Sequence, residues 1–175
     1  MLGYKVDSGI HKLWEQVGYL EEATYYPGLT VLENLDIARR MQMISDCQSI
    51  ARVIKKLGLA AHKNKKAKNL SLGNKQRLGL AKAMIHNPKI LILDEPINGL
   101  DPAGVVEIRE MLMDLSKNFG VTVFISSHQL EELCIAGGYL YCEYNQGVNY
   151  AFIIHTTSHL YRKSPLAILL KKKDY

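Results

Sequence analysis

A parallel α/β fold carrying an inserted helical subdomain is the architecture this sequence predicts. Three observations predict it. Strand-like and helix-like segments alternate from Ile90 to Leu133, and that order belongs to parallel sheets with crossover helices. The run Ile90 to Leu93 is apolar throughout, as in a strand covered on both faces. Ahead of it lie two helical segments with apolar stripes of their own and no strand between them.

The elements follow in chain order. Val17 to Leu20 reads as a short strand. Thr30 and Glu33 have capping-box spacing, in which the hydroxyl and the carboxylate satisfy backbone donors at a helix start. The helix behind them runs to about Met43, with Val31, Leu35, Ala38 and Met41 on one face. A second helix starts near Ser45 or Asp46, buries Ile50, Val53, Ile54 and Leu57, and stops at Gly58. Ser71 is the next N-cap candidate, before a helix from Lys75 to about Ile85. Asp101 and Pro102 form a cap followed by a proline at the first helical position. The stripe Val105, Ile108, Leu112, Leu115 and Phe119 then marks a helix closed by Gly120. Val121 to Ser126 is a β-branched strand, and a helix follows from Gln129. Tyr139 to Tyr144 and Val148 to Ile154 flank Asn145-Gln146-Gly147, a plausible hairpin turn.

Composition narrows the class. The 175 residues are 47% hydrophobic and 22% charged, as in ordinary globular chains. No apolar run approaches the ~18 residues of a membrane span, and the first residues lack the apolar core of a secretion signal. The three cysteines show no CxxC spacing, so a disulfide framework or structural zinc is not expected and a reducing cytosolic setting fits. The net charge of +5 is concentrated in Lys63 to Lys68 and Lys171 to Lys173. Such clusters are solvated loops and tails, or patches for nucleic acid or a membrane surface. No aromatic interleaves with the first cluster, which argues against single-strand stacking.

Ligands of parallel sheets collect beyond the carboxyl ends of the strands. Asp94-Glu95 ends one strand there, Ser126-Ser127-His128 ends the next, and Asn98 to Asp101 is a tight turn between them. The first carboxylate suits Mg²⁺ through its water shell and the second can take a proton from water. Alone, acids at a strand end are as readily helix caps. Ser71 and Gly73 at a helix start leave backbone N–H groups for a phosphate, or make an ordinary cap.

The ordered set is more specific than its parts. LSLGNKQR from Leu70, then Leu78 to Ile90, then LILDEP, NGLDP and SSH resembles the ATP-binding subunit of ABC transporters over about Val17 to Leu133. The resemblance implies a partial P-loop NTPase fold with ATP and Mg²⁺ as cofactors. Leu70 to Asn74 stands where the family's LSGGQ signature stands, keeping Ser71 and Gly73 but with Leu72 for Gly and Asn74 for Gln. There, Ser71, Gly73 and Asn74 would grip the γ-phosphate held by a partner subunit. It makes Asp94 the magnesium residue, Glu95 the general base, Asn98 to Asp101 the D-loop with Asp101 reaching the partner's site, and His128 the γ-phosphate switch. Val17 to Glu22 resembles the Q-loop stretch, with Glu22 where Gln is usual. That Glu, and the wordings NKQRLGLA and HNPKILILDEPINGLDP, resemble the bacitracin- and lantibiotic-exporter branch. His11, His62, His86, His155 and His159 match nothing in it.

Two departures qualify the resemblance. The phosphate loop GxxxxGK[ST] occurs nowhere, and with it are missing the backbone nest, the phosphate lysine and the magnesium hydroxyl. The expectation is an N-terminally truncated, inactive ATP hydrolase. Beyond Leu133 the sequence leaves the family's pattern, through a divergent tail or a change of frame. The chain so divides into 1–22, a remnant of the nucleotide-binding core; 23–70, the helical subdomain; 71–133, the signature-to-histidine region; and 134–175, the tail. The partners implied are a membrane permease and a second ATPase subunit, at the cytoplasmic face of the membrane, with no nucleic acid. The alternative is a non-catalytic module that pairs with an intact subunit. Soluble ABC ATPases of translation or DNA repair fit less well, because their paired cassettes and long coiled coils are not seen.

Overall fold

The computed structural model describes residues 14–20 and 24–127 (of Ser127 the backbone alone), and the backbone of 140–144 and 150–154. Strand β1, Val17–Leu20, precedes helices α1, Val31–Met41, and α2, Gln48–Lys56. Short 3-10 turns at Ala60–His62 and Ala67–Asn69 lead to α3, Leu72–Ala83. Then come β2, Ile90–Asp94, α4, Pro102–Phe119, β3, Thr122–Ser127, and the pair β4, Leu140–Tyr144, and β5, Tyr150–Ile154. The sheet order is β1-β2-β3-β5-β4. Strands β1, β2 and β3 are parallel, with Gly18 beside Leu91 and Leu91 beside Val123. This is the parallel α/β arrangement expected.

The hairpin reading also holds for the backbone, since β4 and β5 pair antiparallel. Its place is new. β5 lies antiparallel against β3 and so covers that strand's outer edge, which would otherwise present unpaired backbone groups. The helix expected from Gln129 lies outside the described residues.

Local signals set most helix ends. At α1 the Glu33 N–H donates to the Thr30 hydroxyl at 3.2 Å, and the Thr30 N–H donates to the Glu33 carboxylate at 2.7 Å. At α4 the Gly104 N–H donates to Asp101 Oδ1 at 2.9 Å, and Gly120 closes the helix at φ +65°. α3 begins at Leu72 rather than Lys75, because Ser71 caps it directly. α2 starts at Gln48, where the Gln48 N–H donates to Asp46 Oδ1 at 2.8 Å. Two stripes end sooner than periodicity predicts. Met41 is 74% exposed and Phe119 44% exposed. Each lies in a last turn that has run past the core, and the Phe119 ring instead receives the Lys56 ammonium 4.3 Å from its centroid.

One hydrophobic cluster joins the helices to the sheet. It runs from Leu35 and Leu57 through Leu78 and Leu80 to Leu91 and Ile125. The helices α1 to α3 and the sheet thus share a core. Among the described residues Asn34, Ser49 and Ser116 are the buried polar side chains, and Asn34 lies fully buried on α1. Its amide donates to the carbonyls of Tyr26, Leu29 and Thr30 at 3.1, 3.3 and 2.8 Å, and its oxygen accepts the Tyr26 N–H at 2.7 Å. The side chain thereby fastens the turn that leads into α1.

β1 is held tightly against the end of α3. A Cβ at Gly18 would stand 2.3 Å from the Ala83 carbonyl oxygen, 2.9 Å from Leu91 Cδ1 and 3.0 Å from Pro88 Cγ. His86 Nε2 lies 3.1 Å from the Val17 carbonyl, and burial lowers the imidazole pKa. Gly18→Ala is therefore expected to destabilise by about 1–3 kcal/mol, a fall of roughly 3–10 °C in the melting midpoint. Gly28→Ala, where a Cβ meets nothing within 4 Å, is the control. Equal midpoints for the two variants would contradict this packing.

Candidate functional site

The parallel strands β2 and β3 end level with one another, Asp94 beside Ser126. The Ser126 hydroxyl donates to the Asp94 carboxylate, which is half-buried. At the next residue the chain turns sharply. Glu95 has φ +46°, a left-handed conformation that is uncommon outside glycine and costs of order 1–3 kcal/mol. Its N–H donates to the Ser126 carbonyl at 3.0 Å, and its own carbonyl accepts from Asn98 N–H at 3.2 Å. Fully buried Ile97 anchors the turn. The strand end thus presents Asp94, Glu95 and Ser126 together. Asp94 and Glu95 were legible as a pair from sequence; the role of Ser126 as the donor to Asp94 was not.

The turn Asn98 to Asp101 continues from there, with Gly99 at φ +73°. Asp101 is exposed, and its carboxylate caps α4 rather than standing free. The turn meets the start of α3. A Cβ on Gly99 would lie 3.4 Å from Leu72 Cδ2, so the signature-like segment and the D-loop-like turn of this chain lie side by side at Leu72. At the α3 N-terminus Ser71 is exposed. Its hydroxyl oxygen accepts from the Asn74 N–H at 3.3 Å and from the Asn74 side-chain amide at 2.9 Å. Ser71 and Asn74 therefore satisfy each other. Around Gly73 a Cβ would meet nothing within 4 Å, so this face of the helix start is open. Glu22 and His128 lie outside the described residues.

Arg77 is a further residue that the sequence reading did not single out. From α3 its guanidinium pairs with Glu107 of α4 at 2.9 Å and donates to the Leu57 carbonyl at the end of α2 at 3.3 Å. It braces the helix that carries Ser71. Partners 20 and 30 residues away leave no local signal in the sequence.

The groups fit part of a magnesium–nucleotide site. Mg²⁺ is commonly held by one or two carboxylates plus substrate phosphates. A half-buried aspartate oriented by a hydroxyl suits that role. No cluster of three or more metal-ligating side chains occurs among the described residues. For the triphosphate the described strand ends offer two carboxylates and a hydroxyl, and the phosphate-loop motif GxxxxGK[ST] does not occur in the sequence.

Comparison with known proteins agrees with this geometry. The ABC transporter family model matches residues 3–98. A bacitracin transport ATP-binding protein of Enterococcus faecalis is 43% identical over 134 residues, 76% of this chain and 44% of the relative. A lantibiotic transport ATP-binding protein of Streptococcus pyogenes is 42% identical over 114 residues, 65% of this chain and 49% of the relative. The chain thus spans about half the length of these curated relatives or less. Among solved structures, a dimeric bacterial ABC transporter cassette superposes with a TM-score of 0.59 at 25% identity, covering 74% of this chain and 60% of that one. Part of the cbiONQ transporter complex of Clostridium perfringens, the cbiO1 chain, gives 0.57 at 27% identity, covering 69% and 57%. No helix among the described residues is long and apolar enough to cross a membrane. The chain belongs to the family of ABC transporter ATP-binding proteins.

Proposed function

We propose that this chain belongs to the ATP-binding component of an exporter of peptide antibiotics, of the bacitracin or lantibiotic kind. It works beside a membrane permease at the cytoplasmic face, and its 175 residues alone hydrolyse no ATP. The export reading is supported by two relatives above 40% identity whose names carry bacitracin and lantibiotic transport. The inactivity reading is carried by one observation: acids end β2, and the sequence holds no phosphate loop to accompany them. In this reading Asp94 is the magnesium carboxylate and Glu95 the general base of a site that these residues do not complete. Glu22 and His128 remain assigned by motif alone.

The open face at Gly73 favours a second role. The α3 N-terminus, with Ser71 and Gly73, would bind phosphate held by another ATPase subunit, and Asp101 would stand beside it. The test is gel filtration of this chain mixed with an intact homologous subunit, with and without Mg-ATP. A heterodimer that forms only with nucleotide is expected. No ATP-dependent shift would remove the pairing role and leave only an inactive chain.

A further inference from the structure

The lysine-rich segment between α2 and α3 is not a loose loop. Lys63, Lys65, Lys66 and Lys68 lie within six residues, and all four are exposed. Their backbone is tied down on both sides. The Leu32 and Val31 N–H groups donate to the carbonyls of Lys63 and Lys65, each at 3.1 Å. Thr30 and Lys66 form a β-bridge. The Ala67 and Lys68 N–H groups donate to the Leu29 and Pro27 carbonyls at 2.8 and 3.0 Å, and Ala67 is fully buried. Among the described residues none of the four lysines stands in an ion pair. Among the described residues Glu33 feels the charge of Lys66, and its carboxylate is engaged by Thr30. Beside the ridge, on the turn that Lys68 bonds to, Tyr26 is 49% exposed.

From this ridge we infer an electrostatic docking surface for an anionic phospholipid bilayer. Charge complementarity selects the occupant. Lysines are compact, strongly hydrated charges that suit a sheet of headgroups, whereas specific phosphate recognition favours the arginine fork, absent from this run. A tyrosine at the edge fits the headgroup level, where amphipathic rings concentrate. The run holds no aromatic on which a single-stranded base could stack. The fixed backbone keeps the charges together without further ordering on contact. The choice of lipid over nucleic acid rests on the transporter reading.

Flotation of the full chain with vesicles tests the surface, because protein aggregates sediment while bound protein rises. With phosphatidylcholine–phosphatidylglycerol vesicles at low salt the chain is expected to float; with pure phosphatidylcholine, or at 0.5 M salt, it is not. Each lysine contributes about fivefold to partitioning, so Lys63→Glu, Lys65→Glu, Lys66→Glu and Lys68→Glu together should lower it by several hundredfold or more. The triple change Lys171→Glu, Lys172→Glu and Lys173→Glu should leave most of the binding in place. Equal flotation with pure phosphatidylcholine, or survival of binding in the quadruple variant, would overturn the proposal. So would failure to float combined with a mobility shift of duplex DNA, which would make the ridge a nucleic-acid patch, or failure to float at all. The assay contains neither nucleotide nor a second subunit, so its failure leaves the proposed function standing.

Discussion

Glu95→Gln, placed in a chain supplied with a phosphate-loop segment, is expected to lower ATP hydrolysis by about 10²–10⁴-fold while nucleotide binding stays within a few-fold of the parent. β2 delivers Glu95 to the carboxyl end of the sheet, and the hydrogen bond from its N–H to the Ser126 carbonyl holds the turn at 3.0 Å. Gln has nearly the same size and removes only the basic oxygen. The backbone bonds that fix the turn do not depend on the side chain, so the melting midpoint should stay close to the parent's. Near-normal turnover with an intact fold would place the base elsewhere, and Glu22 is the next carboxylate to replace.

Ser71→Arg should abolish ATP-dependent pairing with an intact subunit. Ser71 is exposed at the start of α3, and the backbone beside it at Gly73 is open. An arginine there puts bulk and a long chain where a partner's phosphate would rest. The same change removes the N-cap bond from Asn74, which typically costs about 1 kcal/mol and roughly 2–4 °C in melting midpoint. Ser71→Asn separates the effects, because Asn caps about as well as Ser and is far smaller than Arg. The expected order of pairing is wild type, then Asn, then Arg with none. Undiminished pairing in the Arg variant would show that this helix start does not face the second subunit.

What the sequence made legible was mostly local. Capping at Thr30 and Asp101, and the stop at Gly120, depend on residues within one turn, and all three are realised. The parallel strands were legible because β2 is apolar over Ile90 to Leu93, β3 is rich in β-branched residues, and a helix stands between them. Periodicity identifies a face but not where the neighbouring surface ends, which is why Met41 and Phe119 are exposed at the ends of buried stripes. Asn34 reads as an ordinary polar helix position; only the fold shows that it carries the turn from Tyr26 to Thr30. The hairpin was legible in its strands, and its insertion beside β3 was not, because sheet order is decided by which edge is free.

The same division runs through the site. Motif order singled out Asp94, Glu95 and Ser71 from the sequence. It did not show that Asp94 is bonded by Ser126 or that the Ser71 hydroxyl is occupied by Asn74. Leu72 is the clearest case. In sequence it is a substitution in a glycine position of the signature-like segment. In the structure its side chain stands beside the turn at Gly99, 27 residues further along, so close that an added Cβ there would lie 3.4 Å from Leu72 Cδ2.

In the proposed reading these residues hold the acid half of an ABC ATPase site without the half that grips phosphate. Titration calorimetry of Mg-ATP into the 175-residue chain, at up to millimolar nucleotide, tests it most directly. Carboxylates at the strand end would repel a triphosphate, and the sequence carries no GxxxxGK[ST] loop to hold one, so no saturable heat is predicted. Micromolar binding would contradict the claim and require a phosphate cradle elsewhere in the chain.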